Sequence, residues 1–274
     1  MDDSFRTLPR RMRPALGTFV EIGIAPSKQS ESAFGAAFRV IEEVHARLSF
    51  QDPTSELSCL NASAGEWVSL SPLALRVLRA ARALTVASDG LFNCTVGGAL
   101  VRRGVLPDHC AIRGGRANEL IERGGASDIE IASNAARLLR PVRVTLDGIA
   151  KGYAVDRAVS ALRACGVAFG WVNAGGDLRV FGDLALPVWR RGLHGELEQL
   201  GELRDASLAT SSVRADVDPS FPGTIVGAAS ASGIWSVTAR FAYLADALTK
   251  VAANAPSLHA AALVARLRGK IVMP

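Results

Sequence analysis

The stretch that decides the fold is Val142–Gly182, VRVTLDGIAKGYAVDRAVSALRACGVAFGWVNAGGDLRVFG. Its first residues alternate between apolar and polar, and Asp147-Gly148 then predicts a tight turn. A helical pattern follows and closes at Gly166. A second apolar run leads into a glycine turn, NAGGD at 173–177, and a third strand-like run follows it. The stretch therefore predicts strand, turn, helix, strand, glycine turn and strand, in that order.

The first of these turns has the features of a phosphate site. A helix that begins near Ile149 leaves several backbone N–H groups without partners inside the helix, so its positive end can receive a phosphate. Gly148 and Gly152 allow a ligand to approach the backbone closely, and Lys151 adds a positive charge. The turn matches neither G-x-G-x-x-G nor G-x-x-x-x-G-K-[ST], so the common nucleotide fingerprints do not apply.

Asp147 is the unexpected residue in this turn, because a carboxylate repels a phosphate. It can accept a hydrogen bond from a polar ring, cap the helix, or bind the water shell of a cation that bridges to the phosphates. The plainer interpretation is that Asp147 is an ordinary N-cap and Lys151 a solvated helix residue. The turn by itself leaves these interpretations open.

Composition limits the function classes. The chain has 274 residues and a net charge of +5, and 49% of its residues are hydrophobic, which is enough to bury a core. It contains no apolar run long enough to span a bilayer. The basic N-terminus has no apolar segment after it, so we predict a cytoplasmic protein without a signal peptide. Arginines are scattered without interleaved aromatics, which argues against a nucleic-acid surface and suits a small anionic ligand.

The periodicity along the rest of the chain mixes helices and strands without a regular βαβ repeat, which predicts one compact α+β domain. The predicted helices are Ser30–Leu48, a helix from Ser71-Pro72 to near Asp89-Gly90, Tyr243–Asn254 and Ser257–Arg268. The predicted strands are Gly17–Ile24, Ile129–Ala132, Leu138–Val144, a pair within Val188–Ser211, and Ile234–Phe241. We read residues 104–127 as mostly loop with one short helix.

Seven segments in register resemble the ApbE-type FAD:protein FMN transferases. They are LGTFVEI (16–22), SELSCLN (55–61), GLFNCTVG (90–97), LDGIAKGYAVD (146–156), NAGGDLRVFG (173–182), LATS (208–211) and ADALTKV (245–251). One such motif is weak support, but seven in order across most of the chain are specific. The resemblance implies a single ApbE-like α+β domain over residues 16–274, with mixed sheets flanked by helices, after an N-terminal extension of residues 1–15.

The function implied by the resemblance is a Mg²⁺-dependent transferase. Such an enzyme binds FAD as its substrate, cleaves the diphosphate, and attaches FMN through a phosphoester to a Thr or Ser of an acceptor protein, releasing AMP. The expected cofactors are therefore Mg²⁺ and FAD, and the expected partner is the acceptor protein.

The resemblance also implies a metal site. The metal ligands would be the backbone carbonyl of Ala150 together with Asp246 and Thr249. These are hard oxygen donors of the kind that Mg²⁺ prefers, and the ion would neutralise charge on the diphosphate. Asp246 is then also a catalytic residue. Without the resemblance, Asp246 would be an ordinary acidic residue in the first turn of a helix, and Thr249 its neighbour three residues on.

Ten residues are predicted to contact FAD. Asp147 would face the flavin side of the ligand, and Asn61 would lie close to the diphosphate. The full predicted set is Leu16, Asn61, Phe92, Asn93, Asp147, Lys151, Tyr153, Gly175, Gly176 and Asp177.

One departure from the family pattern affects the mechanism. The H-x-x-D-P-x-T-G motif survives only as Asp218-Pro219 and a displaced Gly223, and its histidine is replaced by Ala215. A positioned base contributes roughly 10²–10⁴-fold to a proton transfer. Asp218 is the predicted substitute, with Asp216 or a metal-lowered hydroxyl pKa as alternatives. Two other functions stay open: an FAD pyrophosphatase that releases FMN and AMP, and a non-catalytic flavin-binding or delivery protein.

Overall fold

A seven-stranded sheet carries the helices that shape the site. The structure, a computed structural model, describes residues 8–109, 120–213, 225–227 and 232–273. The α-helices in these ranges are α1 (Ser30–Leu48), α2 (Glu56–Ala62), α3 (Pro72–Ala87), α4 (Gly97–Arg102), α5 (Ala150–Ala164), α6 (Ala242–Asn254) and α7 (Ser257–Arg266), and a short 3-10 helix covers Ala126–Asp128. The strands are β1 (Arg10–Ala15), β2 (Thr18–Ile24), β3 (Val68–Ser69), β4 (Ile129–Ile131), β5 (Ala135–Leu138), β6 (Gly170–Ala174), β7 (Asp177–Phe181), β8 (Ala185–Arg191), β9 (Leu197–Arg204), β10 (Ser207–Val213), β11 (Gly233–Ala239) and β12 (Gly269–Val272).

The main sheet has the order β1-β2-β6-β7-β10-β11-β12, and two small sheets have the orders β3-β5-β4 and β8-β9. The α+β class is confirmed. Every pairing between described strands is antiparallel, where the sequence predicted mixed sheets. The connection from β11 to β12 illustrates the reason: it contains two helices, and two helical passes leave the second strand antiparallel to the first.

The core lies between one face of the main sheet and a layer of helices. The predicted apolar stripe of α1 is buried at every position: Phe34, Ala37, Phe38, Ile41, Val44 and Leu48. The predicted capping residue of α3 is also confirmed, since the Ser71 side chain accepts from the N–H of Ala74 and Pro72 occupies the first turn. The opposite face of the sheet packs on the β8–β9 hairpin through a second apolar cluster that includes Trp171, Val180 and Leu203.

The predicted strand Leu138–Val144 is wrong. The strand is β5, which ends at Leu138, and residues 142–146 belong to no helix or strand. Their backbone groups are satisfied by other parts of the chain: the Asn61 side chain bonds both the N–H and the C=O of Val144, at 2.7 and 2.8 Å, and the N–H of Thr145 donates to the Cys94 carbonyl. These hydrogen bonds satisfy the backbone groups that a neighbouring strand would otherwise pair. The apolar-polar alternation of the sequence is the same in both cases, so it does not distinguish this segment from a strand.

The chain ends were also predicted incompletely. The last helix ends at Arg266, two residues before the predicted end, because Arg268 adopts φ 67° and β12 begins at Gly269. At the other end, Arg10–Ala15 forms β1 and pairs with β2, so residues from the predicted N-terminal extension complete the edge of the main sheet.

Asp156 on α5 ties together the elements that later form the site. Its carboxylate accepts from the N–H groups of Ala242 and Tyr243, at 3.1 and 3.0 Å, and forms an ion pair with Arg179 on β7. These two N–H groups begin α6, and in the described structure Phe241, the N-cap residue, offers them no side-chain bond. Asp156 therefore supplies the cap from a neighbouring helix and fixes α6 against α5 and β7.

Asp128 stabilises the loop before residues 142–146, and this predicts a dependence on pH. Both of its oxygens accept from Arg140, at 2.6 and 2.8 Å, and these bonds lower the pKa of Asp128 below its ordinary value. A lowered carboxyl pKa stabilises the fold above the ordinary value of about 4, and the contribution is lost as pH falls through the lowered pKa. We expect Asp128→Asn to cost about 1–2 kcal/mol at pH 7, because Arg140 is half-exposed, and the deficit to shrink as the pH falls. Urea unfolding at pH 7 and pH 3 checks this, and an equal deficit at both would contradict it.

Within the residues that the structure describes, none of the helices combines the length and apolar character needed to cross a membrane.

Candidate functional site

Two cavities meet at the first turn of α5. Cavity A has a volume of about 340 Å³ and lies between the Phe92–Asn93 loop, the Asp147–Gly148 turn and α6. Cavity B has a volume of about 520 Å³ and lies between the β1–β2 turn, the end of α1 and the N-terminus of α5. Asp147 and Lys151 line both cavities. Both volumes are in the range of small-molecule sites.

The Asp147–Gly148 turn forms the boundary between the two cavities. The N-cap residue of α5 is Ile149, so Asp147 is not the N-cap. Among the described residues, no side chain caps the N–H groups at the start of this helix. Asp147 instead accepts from the Thr145 hydroxyl at 3.1 Å and presents its carboxylate to the cavities. The surrounding protein removes part of its water shell, which raises the pKa of Asp147 even though solvent still reaches the group.

Lys151 is held beside the glycine turn by an ion pair. Its Nζ lies 3.4 Å from Oδ2 of Asp177, whose side chain is 3% exposed. The charge of Asp177 raises the pKa of Lys151, so the ammonium stays charged at neutral pH. Burial, followed by the charge of Asp246, raises the pKa of Asp177 by more than Lys151 lowers it. The site therefore holds a fixed positive charge where the two cavities meet.

The predicted glycine turn is confirmed between β6 and β7. Ala174 pairs with Asp177, and the two residues between them, Gly175 and Gly176, have φ of 59° and 99°. Left-handed φ values at both central positions are the hairpin geometry that glycine adopts without strain. A Cβ on Gly175 would lie 2.7 Å from the Thr18 hydroxyl, which lines cavity B, so the position also needs the small residue.

Leu16 lies in the corresponding turn between β1 and β2. Its φ is 57°, a left-handed value that non-glycine residues adopt uncommonly, and Gly17 follows with φ 69°. The Leu16 side chain lines cavity B, where the resemblance predicted a contact with FAD. Backbone strain of this kind is found at ligand sites, where the surrounding structure maintains it.

Of four further residues predicted to contact FAD, two line a cavity and two do not. Phe92 and Asn93 line cavity A, and Asn93 is fixed by bonds to Thr95 and to the carbonyl of Gly124. Asn61 and Tyr153 lie outside both cavities. Asn61 supports residues 142–146, and the Tyr153 hydroxyl is buried without a partner among the described residues.

The first turns of α6 form a polar cluster beside cavity A. Asp246 is 1% exposed, and its Oδ1 pairs with the ammonium of Lys250, one turn later on the same helix. Its Oδ2 has no hydrogen-bond partner among the described residues. The Thr249 hydroxyl donates to the Asp246 carbonyl at 2.7 Å and lies 2.7 Å from the Ser211 hydroxyl. Lys250 also donates to Ser211 at 3.1 Å.

These contacts test whether the predicted Mg²⁺ ligands fit an ion. Ala150 lines cavity B, while Asp246 and Thr249 lie in the cluster beside cavity A. The unpartnered Oδ2 of Asp246 suits a cation, but its Oδ1 already holds the Lys250 ammonium and Thr249 is bonded twice. The Lys250 ammonium therefore already neutralises the carboxylate that the ion would use, which does not favour Mg²⁺ here, and the ligand set stays a prediction.

Several residues that line the cavities were missed by sequence reasoning, and three of them carry charge or a hydroxyl that the site uses. Lys250, Ser211 and Arg123 all line cavity A. Lys250 could have been found from its spacing of four residues after Asp246, which places both on one face of a helix. Arg123 carried no comparable signal. Asp218, the predicted base, and Ala215, at the position of the missing histidine, lie outside the described residues.

Comparison with protein families identifies the family to which the chain is similar. The family model described as the ApbE family matches residues 16–273 of this chain, so the match covers all of the elements that contribute to the two cavities.

Curated relatives and solved structures agree with the family match. The chain is 31% identical over 194 residues to the FAD:protein FMN transferase of Rhodobacter capsulatus, covering 66% of this chain and 36% of that protein. It is 29% identical over 185 residues to the FAD:protein FMN transferase of Vibrio cholerae, covering 62% of this chain and 53% of that protein. The matched stretch thus spans between about a third and about a half of these relatives. The crystal structure of the ApbE protein from Thermotoga maritima superposes with a TM-score of 0.79 at 22% identity, covering 97% of this chain and 94% of that one, which shows the shared fold.

Proposed function

This chain belongs to the ApbE family, and from this membership and the geometry of the site we propose that it is an FAD:protein FMN transferase. The names of its curated relatives support the reaction class. The proposed substrates are FAD and an acceptor protein with an accessible Thr or Ser hydroxyl.

The observation that carries this proposal is the meeting of two cavities at Lys151. FAD consists of two ring systems joined by a diphosphate, so a ligand of this shape needs two pockets and a positive charge between them. Lys151 supplies that charge, and α5, which has no side-chain cap among the described residues, adds the positive end of its dipole, which favours a phosphate. Asp147 lines both pockets from the same turn and accepts hydrogen bonds from the polar groups of the ligand.

The proposed reaction is a phosphoryl transfer. The acceptor hydroxyl oxygen attacks the phosphorus on the riboflavin side of FAD, and a new P–O ester bond forms. The bond from that phosphorus to the bridging oxygen breaks, and AMP leaves with the bridging oxygen. The hydroxyl proton passes to a base, for which Asp218 remains the prediction. Catalysis of this kind relies chiefly on positioning and on charge stabilisation, which the fixed lysine and the helix N-terminus supply.

Incubation with FAD tests the proposal against its alternatives. We expect intact-protein mass spectrometry to detect one added FMN on a co-encoded acceptor protein, together with one equivalent of AMP. A variant of the acceptor in which the modified Thr or Ser is replaced by Ala is the control. Free FMN and AMP without an adduct would instead identify a pyrophosphatase, which the loss of the family histidine at Ala215 favours. Bound but intact FAD would identify a binding protein.

Lys151→Ala is predicted to weaken FAD binding by about 10- to 100-fold, because a hydrogen bond to a charged group contributes about 1.5–3 kcal/mol. Titration of FAD fluorescence measures the change. Lys28→Ala, which removes an exposed lysine elsewhere, is the matched control and is expected to bind FAD like the parent chain. The thermal stability of both variants is measured alongside, because Lys151→Ala also leaves Asp177 without its ion pair. Unchanged affinity would mean that Lys151 does not contact the diphosphate.

A further inference from the structure

The buried carboxylate of Asp246 has its own cation on the same helix. A carboxylate that is 1% exposed needs a positive charge beside it, because desolvation of an unpaired ion is costly. Lys250 supplies that charge from the next turn of α6. The chain has four lysines, and two of them, Lys151 and Lys250, line cavity A.

The hydrogen bonds around Lys250 have one consistent direction. An ammonium group only donates, so Lys250 donates to the Ser211 hydroxyl at 3.1 Å. The Thr249 hydroxyl donates to the Asp246 carbonyl, so the bond of 2.7 Å between Ser211 and Thr249 carries the proton of Ser211. The hydroxyl protons of Ser211 and Thr249 are both used inside the cluster. Around Oδ1 of Asp246 the cluster is complete with an ammonium, and Oδ2 is the one carboxylate oxygen of Asp246 without a partner among the described residues.

Lys250 is also held against the phosphate-receiving turn. A Cβ on Gly148 would lie 3.2 Å from Cε of Lys250, so the lysine stem packs directly on the Asp147–Gly148 turn. Of the three bonds that Nζ donates, the longest is to the Asp246 carbonyl, at 3.2 Å, and that carbonyl already accepts from Thr249. This donor is therefore the one that transfers most easily to a phosphate oxygen in cavity A.

From these contacts we infer that Lys250 takes the place of the divalent cation. Its ammonium, held by Asp246 and Ser211, is the positive charge that faces the diphosphate from α6, and this chain binds FAD without Mg²⁺. A magnesium ion on Oδ2 of Asp246, the oxygen without a hydrogen-bond partner among the described residues, would need about six oxygen ligands near 2.1 Å and would lie beside the ammonium that Oδ1 holds. The two cations compete for one carboxylate. The inference rests on the proposed function for its ligand, FAD.

Flavin titrations with and without metal test the inference. The full chain is titrated with FAD in EDTA and in excess Mg²⁺, and its two dissociation constants are expected to agree within about threefold. Lys250→Ala is expected to bind FAD about tenfold or more weakly in EDTA, and Mg²⁺ is expected to restore part of that affinity. Lys250→Arg, which keeps the charge, is expected to stay indifferent to Mg²⁺. Lys270→Ala, which removes an exposed lysine on β12, is the matched control.

A second measurement uses no flavin and so separates this inference from the proposed function. Mn²⁺ is titrated into the chain and followed by electron paramagnetic resonance. The parent chain is expected to bind Mn²⁺ weakly, and Lys250→Ala is expected to bind it at least tenfold more tightly. The double variant Lys250→Ala, Asp246→Asn is expected to lose this increase in Mn²⁺ affinity. Tight Mn²⁺ binding by the parent chain, or FAD binding that fails in EDTA, would overturn the inference while leaving the transferase proposal standing. If Lys250→Ala does not fold, Lys250→Gln replaces it in both measurements. A chain that binds no FAD in either condition overturns the transferase proposal and the FAD part of the inference together.

Discussion

Replacing Gly152 by alanine is expected to destabilise the chain by about 3 kcal/mol or more, which corresponds to a fall in Tm of roughly 10 °C. A Cβ at Gly152 would lie 2.3 Å from the carbonyl oxygen of Ala242 and 2.6 Å from the nitrogen of Tyr243. Both atoms belong to the backbone of α6, so the contact cannot be relieved by rotating a side chain. The two helices must separate, and Asp246 and Lys250 on α6 would then move away from Lys151 on α5.

The matched control for this change is another helical glycine. Gly35 lies within α1, and a Cβ there would meet only the flexible end of Arg39, at 3.6 Å. Gly35→Ala is therefore expected to stabilise the chain by up to about 1 kcal/mol, which is the ordinary helix propensity difference. Urea unfolding of both variants and an FAD titration of Gly152→Ala provide the measurements. Equal effects of the two substitutions would show that α5 and α6 are not in the close contact described.

The elements around the site were predictable where local chemistry decides them. The glycine turn at Gly175-Gly176 and the end of α5 near Gly166 follow from residues that adopt left-handed φ without strain. The apolar stripe of α1 follows from helical periodicity. Each of these features depends on neighbours within a few positions in the chain, so a single sequence contains the information.

The segment at residues 142–146 was not predictable in this way. It has the alternation of a strand, but its partners are the Asn61 side chain and the Cys94 carbonyl, which are distant in the sequence. The same limit applies to Asn61, whose amide groups bond the backbone of Val144 at a position outside both cavities. A motif assigns a residue type to a site, but the tertiary contacts decide what the side chain bonds.

In the cluster on α6, the residue that pairs with Asp246 is the one next to the residue that the motif predicted. The resemblance selected Asp246 and Thr249 as oxygen donors, and the structure pairs Asp246 with Lys250. Residues three and four positions apart both lie on the same side of a helix, so the spacing alone does not decide between Thr249 and Lys250. The length of the Lys250 side chain decides between them. Its ammonium reaches back one turn to the carboxylate of Asp246, while its methylene groups pack on Gly148.

Asp156→Ala is expected to cost about 3–5 kcal/mol, because removing one partner of a buried ion pair leaves the other charge uncompensated. Arg179 is 8% exposed and bonds Asp156 through Nη1, and its Nε has no hydrogen-bond partner among the described residues. The same substitution leaves the N–H groups of Ala242 and Tyr243 without their acceptor at the start of α6. Thermal unfolding measures the loss, and Asp183→Ala, which removes an exposed carboxylate, is the control and is expected to change stability by less than about 0.5 kcal/mol.

A double variant separates the ion pair from the helix cap. If the uncompensated charge of Arg179 dominates the cost, Asp156→Leu combined with Arg179→Met is expected to be more stable than Asp156→Leu alone, because no buried charge then remains. If the cap of α6 dominates, the two variants unfold together, and both bind FAD weakly because the start of α6 positions Asp246 and Lys250 beside cavity A. Asp156 contributes to the site in either case by holding α6 in place. Stability close to that of the parent chain in Asp156→Ala would contradict that role.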